Sequence, residues 1–102
     1  GMYIRNEYTI AKVLWEAGGL IATDKGFWTD KNVKTASYKV IDLVEHGDYV
    51  NGYKVHIING IKHAETKDGL VFMGIFWINN NNIKEILTHE QYSSNKYSLE
   101  EL

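Results

Sequence analysis

Apolar and polar residues alternate along this chain in runs too short for helices, and glycine-bearing turns interrupt the pattern at short intervals. The runs are rich in Tyr, Ile, Val, Thr, Phe and Trp, which suit a pleated, half-buried surface. They predict strands at Met2–Arg5, Tyr8–Trp15, Leu20–Thr23, Phe27–Thr29, Val33–Ser37, Asp48–Val50, Tyr53–Ile58, Ile61–Thr66, Leu70–Ile78 and Ile83–Leu87. Turns fall at Gly18-Gly19, Lys25-Gly26, Asn51-Gly52, Asn59-Gly60 and Asp68-Gly69. Both central residues of a type I′ turn need positive φ, so Asn-Gly and Asp-Gly are strong hairpin signals.

The Asn59-Gly60 turn fixes a register. Ile58 then faces Ile61, Ile57 faces Lys62, His56 faces His63, Val55 faces Ala64 and Lys54 faces Glu65. On this register Tyr53, Val55, Ile57 and Ala64 share the core face, and Lys54, His56, His63 and Glu65 share the other. Near the C-terminus Thr88 with Gln91 three residues on has the spacing of a capping box and predicts a short helical turn. So short a piece needs docking, and Leu87, Tyr92, Tyr97 and Leu99 are the side chains offered for it.

Two stretches, "FWTDKNVK" and "FWINNNNIK", lie about fifty residues apart, and each follows a glycine turn. We read them as a repeated building unit in which an aromatic strand end enters the core, a tight polar turn reverses the chain, and a β-branched strand closes the sheet. Strand, 3₁₀ turn and closing strand is also how small SH3-like barrels end. The expected fold is all-β: one domain over residues 1–102, made of SH3-like barrel(s) built from two β-meander units at about 2–38 and 39–88. A C-terminal tail, 89–102, carries the helical turn.

A length of 102 residues suits one compact core. With no cysteine, a disulfide framework, a thiolate zinc site and a cysteine nucleophile are excluded, which fits a reducing compartment. No segment has the apolar length of a membrane span, and a cytoplasmic location is expected. The net charge of −2 gives little general attraction to phosphate backbones, although residues 1–41 carry +2 and the remainder −4.

No nucleotide-binding loop, zinc-protease helix or serine elbow is present, so no catalytic residue and no cofactor is expected. Asp48, after Gly47, is read as a turn-holding carboxylate. His56 and His63 would face each other, with Glu65 or His46 as neighbours, but no completed ligand set exists and no metal is assigned. The aromatic inventory is larger: three Trp, seven Tyr and three Phe. Trp28, Tyr38, Tyr49 and Tyr53 form the candidate recognition surface, because Tyr and Trp dominate interface hot spots. Lys25, Lys31 and Lys34 surround the first Phe-Trp pair and supply the only hint of nucleic-acid binding.

The stretches "TDKGFWTDKNV", "VIDLVEHGDYVNGYKV" and "IKEILTHEQY" resemble a group of small proteins of phages, prophages and related mobile elements of Firmicutes. The shared patterns are an Ile-Asp-Leu-Ile-Glu-x-Gly-Asp-Tyr-Val-Asn-Gly type run, here Ile41 to Gly52 with Val44 in the fourth place, and an Ile-Lys-x-Ile-Leu-Thr-x-Glu-Gln tail, here Ile83 to Gln91. The resemblance covers about half of the chain and implies a bacterial or phage setting. It carries no activity and no site residue with it. The expected function is therefore a non-enzymatic module that binds a protein partner, a second copy of itself included, and the alternative is an SH3-like nucleic-acid-binding accessory protein.

Overall fold

A computed structural model describes residues 1–74 and 77–94. Its strands are β1 (Tyr3–Arg5), β2 (Ile10–Ala17), β3 (Leu20–Thr23), β4 (Gly26–Thr29), β5 (Thr35–Ser37), β6 (Tyr49–Val50), β7 (Tyr53–Ile58), β8 (Ile61–Thr66), β9 (Gly69–Phe72) and β10 (Ile86–Leu87). Two 3₁₀ turns, Asp30–Asn32 and Val40–Leu43, and a short helix α1 over residues 89–94 complete it. The strands form two five-stranded antiparallel sheets, ordered β4-β3-β2-β1-β5 and β10-β6-β7-β8-β9. Among the described residues neither sheet closes into a barrel; each keeps two edges. The chain divides into two compact units, Gly1–Leu43 and Val44–Leu102.

In the first unit Ile4, Ala11, Ile21 and Trp28 form the core, and Met2, Val13 and Val33 pack against them. Each fully buried aliphatic side chain of this kind contributes about 1.5–3 kcal/mol relative to exposure. One irregularity sets the faces of this sheet. Val13 pairs with Thr23 and Trp15 with Ala22, so Leu14 is an extra residue in β2, a β-bulge. Beyond it the alternation is re-phased: Glu16 opposes Ile21 on the core face, and Trp15, which a strict period of two would place beside Val13, moves to the opposite face.

In the second unit the hairpin of β7 and β8 has the register expected from its turn, with Val55 opposite Ala64 and His56 opposite His63. Asn59 and Gly60 have φ of 52° and 80°, the type I′ geometry that Asn-Gly favours. Val55 and Ala64 are fully buried, whereas Tyr53, on the same face, stays partly exposed and packs edge-on to Trp77 at 4.8 Å between ring centroids. The long run expected as one strand from Leu70 to Ile78 ends at Phe72, before Gly74 turns the chain at φ 97°.

Two pairs of turns share their geometry. Thr23-Asp24-Lys25-Gly26 and Thr66-Lys67-Asp68-Gly69 close their hairpins identically: each threonine hydroxyl donates to the glycine carbonyl at 2.8 Å and accepts the amide of the third residue. Downstream, Asn32 accepts the Thr29 amide at 3.0 Å, and Asn82 accepts the Asn79 amide at 2.7 Å. Trp28 ends its strand in the core, as expected, but Trp77 lies in a bend rather than a strand; Phe76 is outside the described residues. At the C-terminus the capping box is formed: the Thr88 amide donates to Gln91 Oε1 at 3.0 Å, and the Gln91 amide donates to Thr88 Oγ1 at 3.1 Å. Tyr92 docks on Tyr49 with ring centroids 5.0 Å apart. Tyr97 and Leu99 lie outside the described residues.

Candidate functional site

The first unit carries a cleft on the core face of its sheet. Met2, Ile4, Val13, Ile21, Val33 and Ala36 give it an apolar lining, and the exposed Glu16, Asp30 and Tyr38 complete it on the solvent side. Its volume is about 360 Å³, within the range of small-ligand sites. Glu16 reaches this face because of the Leu14 bulge. On the opposite face the same bulge sets Trp15 against Phe27 in an edge-to-face pair, 6.2 Å between centroids, both rings largely exposed.

Of the residues expected to form a recognition surface, Trp28 and Tyr38 lie in the first unit and Tyr49 and Tyr53 in the second. Trp28 is only 6% exposed and belongs to the core of the first unit, so it offers nothing to a partner. Tyr38 is 71% exposed at the cleft rim. Tyr49 and Tyr53 are in the second unit, each in a ring pair, with Tyr92 and Trp77. Burial, and then the Tyr92 hydroxyl beside it, pushes the Tyr49 phenol above its ordinary pKa. The three lysines have different surroundings. Lys25 is held against β2, its Nζ donating to Ile10 O at 2.6 Å and to Thr9 Oγ1 at 3.0 Å. Lys31 and Lys34 line a second, smaller cleft of about 210 Å³ with Glu7 and Tyr8.

In the second unit Asp48 is fully buried and does more than hold its turn. Oδ2 accepts the Glu45 amide at 2.7 Å, and Oδ1 accepts the amide of His89, the first residue of α1, at 2.8 Å. Gly47 makes room for this: its φ is +91°, and a Cβ there would sit 3.4 Å from His89 Cβ. His89 Nε2 lies 2.8 Å from Glu45 Oε1 and 3.4 Å from Glu90 Oε1. These three side chains could each turn one ligand atom toward a common ion, but a histidine between two carboxylates also accounts for the geometry.

His56 of the hairpin has both expected neighbours, Glu65 and His46, whose ring meets its own edge-on at 5.5 Å between centroids. His56 Nε2 pairs with Glu65 Oε2 at 2.9 Å, His63 Nδ1 sits on its own strand at Ile61 O, and His46 Nδ1 accepts the Ile57 amide at 3.0 Å. The His56 hydrogen bond, followed by the charges of His56 and Lys54, holds the Glu65 carboxyl below its ordinary pKa. Lys54, expected to be the partner of Glu65, contributes charge only.

The edge strand β9 is the second open feature, and sequence reading did not isolate it because Leu70 to Ile78 looks like one long strand. Leu70, Val71 and Phe72 are 46%, 39% and 60% exposed, and no charge, proline or bulge guards the strand. The Met73 amide donates to Lys62 O at 3.1 Å. On the β8–β9 register this directs the amides of Gly69 and Val71 toward β8 and turns those of Leu70 and Phe72 outward. No described helix is long and apolar enough to cross a membrane. No protein-family model, no curated protein and no solved structure matches the chain.

Proposed function

We propose that this chain is a non-enzymatic protein-interaction module that takes a partner strand along the edge of β9. The observation that carries the reading is the chemistry of that edge: outward backbone groups at Leu70 and Phe72, apolar side chains on both faces, and no charge, proline or bulge within the strand. A second copy of the chain is one such partner, because an antiparallel copy centred on Val71 would oppose Leu70 with Phe72 and match outward donors to outward acceptors. The expected SH3-like character enters as the order β4, 3₁₀ turn, β5 in the first unit. The resemblance of Ile41 to Gly52 and Ile83 to Gln91 to phage and prophage proteins supports seeking the partner in a bacterial or phage setting.

The test is sedimentation velocity over a wide concentration range, with affinity capture in parallel, comparing the parent chain with Leu70→Lys/Phe72→Lys. Self-association or a captured partner that disappears in the variant, at unchanged circular dichroism, is the expected result. Association that ignores both lysines, or its complete absence in the parent chain, overturns the reading. The nucleic-acid alternative draws on Lys31 and Lys34 beside Tyr8. Steeply salt-dependent binding of labelled single-stranded DNA would put it in first place.

A further inference from the structure

We infer that the cleft of the first unit is a recognition pocket for a lysine or arginine side chain presented by an extended segment of a partner protein. The cleft joins two features. Its floor of Met2, Ile4, Val13, Ile21 and Ala36 is aliphatic, and its charged lining residues are both carboxylates, Glu16 and Asp30. Long basic side chains have the complementary build: an aliphatic stem that lies along apolar surface and a cationic head that remains near water. A stem on the floor brings the head to the rim, where Glu16 and Asp30 supply opposite charge and the exposed Tyr38 ring supplies a face for cation–π contact.

The placement of Glu16 is the independent observation. A regular β2 would have put Trp15 on this face and Glu16 on the other; the extra residue Leu14 inverts that choice and delivers a carboxylate to an otherwise apolar sheet face. Bulges are the usual means by which a strand re-aims one side chain. An anionic or purely apolar ligand would leave both carboxylates unmatched, so the charge pattern selects for a cation. This assignment rests on the reading of the chain as a protein-binding module, but it does not depend on β9.

The experiment is a ¹H–¹⁵N NMR titration of the full chain with the peptide acetyl-Leu-Lys-Leu-amide. Peptides with norleucine or glutamate in place of lysine serve as controls. The expected result is saturable shifts at Met2, Ile4, Val13, Ile21 and Ala36 with the lysine peptide, weaker for norleucine and absent for glutamate. Glu16→Gln/Asp30→Asn should weaken the lysine peptide at least threefold, the scale of two exposed ion pairs. Equal binding of the lysine and norleucine peptides, insensitivity to the double variant, or no movement of these amides overturns the assignment. Both substituted positions are exposed, so folding is not at stake. Repeating the titration on Leu70→Lys/Phe72→Lys separates the two readings: cleft binding that persists there while association is lost locates each function in its own unit.

Discussion

Among the described residues each unit buries one charged residue completely, Arg5 in the first and Asp48 in the second, and the two work with opposite polarity. Arg5 Nη1 donates at 2.9 Å to the carbonyl of Leu43, the last residue of the 3₁₀ turn Val40–Leu43. Asp48 accepts the amide of His89, the first residue of α1, and that of Glu45. Helical turns leave amides bare at their start and carbonyls bare at their end, with partial charges to match. A small open sheet cannot cover such ends with its own core, so each unit sends in the charge of the right sign from a distant strand or turn. The lesson is that a buried charge here is a fastening for the end of a short element, not a sign of chemistry.

Asp48→Ala would break this comparison most severely. It takes the acceptor from two part-buried amides and should cost about 3 kcal/mol by urea denaturation, whereas Arg5→Met, which removes the donor to the Leu43 carbonyl and keeps the stem, should cost about 2 kcal/mol. A cost for Asp48→Ala below that of Arg5→Met would overturn the polarity argument.

The comparison sharpens at the two asparagine turns. Asn32→Ala and Asn82→Ala each remove a side-chain oxygen that accepts the amide three residues earlier, at Thr29 and Asn79. Both should cost about 1 kcal/mol, as loss of a helix cap does, and closely similar values would identify the turns as one device used twice.

The smallest effect is electrostatic. Because the folded-state pKa of Glu65 is depressed, its contribution is fully present above the ordinary glutamate value and is lost as pH falls through the lowered one. In a carboxyl ¹³C titration, His56→Ala should move the Glu65 midpoint upward toward the ordinary value. An unmoved midpoint would assign the depression to Lys54.

Local chemistry in this sequence was readable where it closes on itself. Asn59-Gly60 fixed the hairpin from Val55 to Ala64 residue by residue, and Thr88 with Gln91 marked the start of α1. The matched Thr-x-x-Gly turns were equally local, yet went unnoticed because their loops differ in the order of Asp and Lys. Non-local features left no trace. Nothing in "EHGDYV" indicates that Asp48 reaches His89, forty-one residues on. Nothing in "KVLWEA" marks Leu14 as supernumerary, since no glycine betrays the bulge, and without it neither the cleft nor the Trp15–Phe27 face can be placed. Exposure is a similar case: Trp28 and Tyr38 are ten positions apart, and only the fold decides that the first is buried and the second meets solvent.

Leu14 also has a genetic consequence. In the ladder of β2 and β3 it is the residue without an opposite number, so deleting its codon would join Val13 directly to Trp15 and leave the four pairings between these strands as they are. Glu16 would still overlook the cleft and Trp15 would still stand against Phe27. What such a chain would lose is the extra twist and bend that a bulge gives its strand.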